Sequence, residues 1–119
     1  MPLVVKDEIW EKYEIGNLIG VNDPKTNAPA KRNIFYNNVP LRPGLTYEKM
    51  ITDRGVIIVA CNLALKVVSG MAAEKVGLPK DEATKDFQNN LFKGVFLSPS
   101  GVHAVNLAQE AGCSYCYAG

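Results

Sequence analysis

The chain has 119 residues, of which 47% are apolar and 21% charged, so it can bury one modest core and is not composed like a disordered protein. Thirteen basic residues against twelve acidic ones give a net charge of +1, which excludes electrostatic capture of nucleic acid or of an anionic membrane as the organising feature. No apolar run approaches the roughly 20 residues of a membrane span, and three cysteines are too few for a disulfide-built scaffold.

Residues 2–5 contain a short apolar piece that could close a strand. Asp7 then reads as a helix N-cap, with Glu8 in the first turn where the helix dipole favours negative charge. Ile9, Trp10 and Tyr13 form an apolar stripe, and Gly16 or Gly20 is the expected stop. From about residue 21 to residue 45 the chain is rich in Asn, Pro and Gly and shows no period. Such a stretch in a small domain is either a lid or binding loop, or a cover for a sheet edge.

Thr46 is a good N-cap for a short helix that carries Tyr47, Met50 and Ile51 and stops at Gly55. The β-branched run Val56-Ile57-Ile58-Val59-Ala60 predicts a strand covered on both faces, as in a parallel sheet. Residues 62–76 predict a helix with Lys66, Ser69 and Gly70 on its polar side. Residues 80–91 predict a second, more polar helix with Phe87 and Leu91 one turn apart. Val95-Phe96-Leu97 is a short buried strand. Ser98-Pro99-Ser100 opens another helix, with Pro99 at the first helical position and Val102, Val105 and Ala108 facing one way. Gly112 ends that helix, and Ser114-Tyr115-Cys116-Tyr117 predicts a last strand.

Strands alternating with helices predict right-handed βαβ units in a mostly parallel sheet. The whole chain, 1–119, reads as a single α/β domain of three to four strands, fewer than a doubly wound sheet normally has. It is therefore expected to expose strand edges and helix faces, and to be a homo-oligomer or to lack a partner.

Cys61 is the most informative position. It ends a strand and starts a helix, at the carboxyl edge of the sheet where open α/β folds bind ligands. Unpaired helix N–H groups there favour thiolate over thiol, which suits a nucleophile or a persulfide carrier. A buried structural cysteine is the competing assignment. Ser98, Ser100 and Gly101 leave the next strand on the same edge and either hold an anion or cap the helix. His103, the single histidine, is either a partner of Cys61 or a plain surface residue. Cys113 and Cys116 form one C-x-x-C at a helix end running into a strand. That is the wrong context for a thioredoxin-like motif and too few ligands for zinc. One buried and one partly exposed thiol is expected there, with sulfur relay to Cys61 as the bolder alternative. The sequence has neither G-x-G-x-x-G after a strand nor a P-loop, and no metal or cofactor is called for.

Three segments carry a family resemblance: Gly55-Val56-Ile57-Ile58-Val59-Ala60-Cys61-Asn62-Leu63-Ala64-Leu65, Gly94-Val95-Phe96-Leu97-Ser98-Pro99-Ser100-Gly101-Val102, and Leu107-Ala108-Gln109-Glu110-Ala111-Gly112. Over about residues 46–119 the chain resembles the DsrE/DsrF-like family. The stretch from Asp7 to Asn33 resembles a longer subgroup often predicted to be exported. The resemblance implies a flavodoxin-like three-layer α/β/α domain that forms oligomers. It also implies sulfur relay through a cysteine persulfide at Cys61, with a sulfur-donor or acceptor protein as partner; Asn62, Ser98, Ser100, Gly101 and His103, on the same sheet edge, are the candidate binding residues. Many members have no established activity, so a non-catalytic assembly or small-ligand-binding subunit is the alternative. The family's initial strand, helix and strand have no counterpart here, so an N-terminally incomplete sheet is expected. The chain as it stands is expected to be cytoplasmic, or periplasmic if a longer precursor carries a signal.

Overall fold

The computed structural model describes residues 4–36 and 46–117. Its elements run α1 (Asp7–Lys12), α2 (Ile15–Ile19), α3 (Tyr47–Thr52), β1 (Ile58–Cys61), α4 (Asn62–Val76), α5 (Lys80–Asn89), β2 (Val95–Ser98) and α6 (Gly101–Glu110). The fold is mixed α/β. β1 and β2 pair in parallel, with Ile58 beside Val95, Val59 beside Phe96, Ala60 beside Leu97 and Cys61 beside Ser98. None of the helices described is long and apolar enough to cross a membrane.

Two strands are found among the described residues, fewer than the three to four expected. Residues 113–117 are exposed and form no strand, which corrects the strand placed at 114–117. At the other end Val5 makes an isolated antiparallel bridge to Leu91. The Lys6 N–H donates to the Asn90 carbonyl and the Phe92 N–H to that of Val4, both at 2.9 Å. This apolar piece docks beside the end of α5 instead of joining the sheet. Residues 2 and 3 of it lie outside the described residues.

The core sits among helices. Val5, Ile9, Trp10, Tyr13, Ile15, Ala30, Ile34, Leu65, Ala72, Ala73, Ala83 and Phe87 form one buried cluster. The stripe Ile9-Trp10-Tyr13 is buried as expected, and Tyr13 meets Phe87 edge to face with centroids 5.4 Å apart. Asp86 ties α1 to α5. Its Oδ2 accepts from Tyr13 Oη and from Lys12 Nζ, each at 2.6 Å. The Lys12 ammonium, then the Tyr13 hydroxyl, hold the Asp86 carboxyl below its ordinary pKa. Burial, helped by Asp86, pushes the Tyr13 phenol up to about 12.

The helix starts and stops depart from the sequence reading in detail. Lys6, not Asp7, occupies the N-cap of α1. Asp7 instead accepts the Asn33 N–H at 2.8 Å, pinning the loop to the helix. Gly20, at φ +68, ends α2. Thr46 caps α3 as expected, accepting from the Lys49 N–H at 3.3 Å.

The described part of the irregular stretch, residues 21–36, is built around buried Asp23. Arg32 Nε donates to Asp23 Oδ2 at 2.8 Å and the Lys25 N–H to Oδ1 at 2.9 Å, which lowers that carboxyl's pKa. Asn33 donates through Nδ2 to the Val5 carbonyl, and Ala30 and Ile34 enter the core. This segment covers the helical core and not a sheet edge. The remainder of the stretch, 37–45, lies outside the described residues.

Ser69 is buried, not on the polar side of α4. Its Oγ bonds the Lys66 carbonyl at 3.1 Å and the Thr84 hydroxyl at 3.0 Å, because α4 packs chiefly on α5 across this line. The expectation of a strand covered on both faces also fails. Only Ala60 of β1 is fully buried, while Val59 is 50% and Phe96 61% exposed. Val102 is 83% exposed and α6 contributes no buried residue, so its apolar stripe faces away from any described partner. A two-stranded ribbon offers too little surface to cover helices on either side.

Candidate functional site

Local sequence explains why the backbone turns at Cys61. The β-branched run before it favours extended backbone, and Asn62-Leu63-Ala64-Leu65-Lys66 after it favours helix. Cys61 is both the last residue of β1 and the N-cap of α4, with φ −84 and ψ 118. The same change occurs after β2, where Ser100 is the N-cap of α6. Because the strands are parallel and Cys61 is level with Ser98, two helix N-termini open on one edge of the sheet.

The half-buried Cys61 sulfur lies between them. The amide N–H of Ala64, then that of Gly101, hold the thiol below its ordinary pKa. The Leu63 N–H adds to them, and partial burial works in the opposite direction. None of the α4 amides closes a cap hydrogen bond of ordinary geometry on the sulfur, so the effect is that of dipoles facing a negative charge. The approach of α6 is tight. A methyl group on Gly101 would stand 3.3 Å from Cys61 Cβ and 3.7 Å from its Sγ. Glycine at this position lets the second helix reach the thiol.

The other site residues divide into those brought to the sulfur and those left apart. Gly101 and Ser98 are beside it. Ser98 Oγ donates to the Ser100 carbonyl at 2.9 Å, and Ser100 makes no side-chain cap bond. Helix capping by these hydroxyls is thus not what the turn does. Pro99 lies outside α6, which starts at Gly101, and not at its first helical position. Asn62 Oδ1 accepts from Gln88 Nε2 at 2.8 Å, so Asn62 is engaged with α5. Gln88 was not legible as a site residue. It is 26 positions away, on a helix that the sequence marks only as the more polar one.

His103 is exposed and is not among the groups that act on the Cys61 sulfur. It lines a shallow groove of about 630 Å³ with Ser100, Gly101, Val105, Gln109 and Tyr115. Cys113 and Cys116 are both exposed free thiols, correcting the expectation that one is buried. The irregular segment after α6 is exposed throughout its described residues, 113–117, so neither thiol is buried. No group of three or more metal-ligating side chains occurs among the described residues.

No family model matches the chain, and no curated protein or solved structure matches it either.

Proposed function

We propose that the chain is a sulfur carrier of the DsrE-like kind, with Cys61 as its persulfide-forming residue. The observation that supports this is the placement of one half-exposed thiol between the N-termini of α4 and α6, whose amides favour its thiolate. The Cys61 thiolate attacks the outer, sulfane sulfur of a donor persulfide. A bond forms between Cys61 Sγ and that sulfur, and the donor's S–S bond breaks. The electron pair leaves on the donor's inner sulfur as a thiolate. Cys61 then carries the extra sulfur until an acceptor thiolate attacks it in the same way and releases the Cys61 thiolate. No electron or oxidant enters from outside. The donor and acceptor are proteins that present a thiol to the open sheet edge, and the carrier works in a compartment that keeps thiols reduced.

The test is the intact mass after incubation with a low-molecular-weight persulfide. The expected result is one added sulfur on the wild type and none on Cys61→Ser. Addition to Cys113 or Cys116 with Cys61 untouched overturns the proposal.

The exposed apolar residues of the sheet and α6 favour a second reading, a non-catalytic assembly or small-ligand-binding subunit with structural thiols. Under that reading Cys61→Ser leaves assembly and ligand binding intact, and the wild type takes up no sulfur.

A further inference from the structure

Cys113 and Cys116 form a C-x-x-C that takes no part in the sheet edge. Both thiols are free and exposed. Gly112, at φ +94, turns the chain after α6. The Gly112 N–H donates to the Gln109 carbonyl at 3.0 Å and the Cys113 N–H to that of Ala108 at 2.9 Å, which fixes Cys113 to the helix end. Among the described residues no backbone hydrogen bond holds Ser114 to Tyr117, and these residues form neither strand nor turn. Tyr115 nevertheless lines the groove along α6 with Ser100, Gly101, His103 and Gln109, so the segment lies beside the helix.

Three residues of chain span up to about 10 Å. A disulfide needs its two Cα atoms about 4.4–6.8 Å apart. Closing Cys113 on Cys116 therefore requires a turn that the segment does not make as a dithiol. Its sequence favours one, because Ser114 is a turn former and neither Ser114 nor Tyr115 is β-branched. The segment is exposed throughout, so no packed core resists the change.

We infer that Cys113 and Cys116 are a reversible redox pair, closed by low-molecular-weight disulfides, whose closure draws Tyr115 out of the groove along α6. One thiolate attacks a sulfur of the disulfide, forms a mixed disulfide and displaces a thiolate. The second thiolate attacks the sulfur of the first cysteine, closes the ring and displaces the other half. The pair gives up two electrons and two protons, and the disulfide becomes two thiols. Excess thiol reverses the exchange. Where thiols are kept reduced, pairs that close only transiently act as sensors. This pair follows a helix end instead of opening a helix, which is not the arrangement of a disulfide oxidoreductase. What its closure moves is its own segment. Gly101 belongs both to the groove and to the packing around Cys61, so the state of the pair is felt beside that thiol. This holds under either reading of Cys61.

The full chain is incubated in a glutathione buffer rich in the disulfide, quenched with acid and mapped by peptide mass. The expected result is Cys113 joined to Cys116 within one chain, two hydrogens lighter and reopened by excess glutathione. Two glutathione adducts on the pair, or links between chains, overturn the inference. The groove is read from His103, the single histidine, whose ring protons give an isolated NMR signal. In Cys61→Ser, which removes the third thiol, closure of the pair is expected to shift this signal. Adding Tyr115→Leu is expected to abolish the shift. Closure without a shift, or a shift that persists in Tyr115→Leu, overturns the link to the groove. If Cys61→Ser does not fold, Cys61→Ala serves for the same spectra.

Discussion

The helical part of the molecule and its sheet part both carry large apolar residues, but to opposite effect. Around Trp10, Tyr13 and Phe87 the side chains come from α1, α2, α4 and α5 and from the loop at 30–34, and all are sealed. Around Val59, Phe96 and Val102 the side chains are as apolar and remain in water. The difference is in the number of layers. Helices α4 and α5 close on each other, α4 meets α2, and α5 is tied to the end of α1 through Asp86 and Phe87, whereas two strands cannot provide a face broad enough for α6 to cover. The stable part is therefore separate from the reactive part, and Cys61 lies on their border at the start of α4.

The sharpest way to break this comparison is to truncate one aromatic ring in each part. Phe87→Ala removes a ring sealed between α5 and Tyr13, with an expected cost of about 3–5 kcal/mol. Phe96→Ala is expected to change stability by less than about 0.5 kcal/mol when measured by urea unfolding at sub-micromolar protein. Equal losses would show that the sheet is packed after all.

The glycines give a second contrast. A methyl on Gly16 would meet the Ala30 carbonyl oxygen at 2.3 Å, so Gly16→Ala forces loop and helix apart at a cost of about 1–3 kcal/mol. A methyl on Gly101 meets only the Cys61 side chain. Gly101→Ala should leave the urea midpoint nearly unchanged while lowering the alkylation rate of Cys61 severalfold, as α6 is pushed off the sulfur.

The thiol itself is tested by pH. Its pKa is lowered by the Ala64 and Gly101 amides, so thiolate persists below the ordinary cysteine value of about 8.5. Iodoacetamide should modify Cys61 faster at pH 7 than the more exposed Cys113 and Cys116. The Cys61 rate should begin to fall only at a lower pH than that of a free thiol.

A modest effect is expected at Asp86, which ties the helical part together. Its folded pKa lies below the unfolded carboxylate value of about 3.9. Its contribution is therefore complete above that value and is lost as pH falls through the folded pKa. Asp86→Asn should cost roughly 1 kcal/mol at pH 7, and the deficit should shrink below about pH 4.

Much of the site was legible along the chain. The β-branched run into Cys61, and the helix after it, place a thiol at a strand-to-helix junction from local preference alone. Ser98 to Gly101 could be put on the same edge because parallel strands share their carboxyl ends. Gln88 and the Asp7–Asn33 link were not legible, since both join residues more than 20 positions apart by a single polar contact. Ser69 was misjudged for a related reason: a serine on a helix looks solvent-facing until another hydroxyl, here that of Thr84, is packed against it.

Composition and periodicity by themselves determined an α/β chain, a helix over 62–76, a second one starting at residue 80, a strand ending at Cys61 and a helix opening a residue or two before its true start at Gly101. These follow from backbone preference and side-chain spacing, which act over a few residues. Only the tertiary structure decided that the core is helical, that β1 and β2 stand as a ribbon of two, that Cys113 and Cys116 are exposed, and that Gly101 brings α6 against the sulfur. Burial depends on which surfaces meet, and an apolar strand reads the same whether or not anything lies across it.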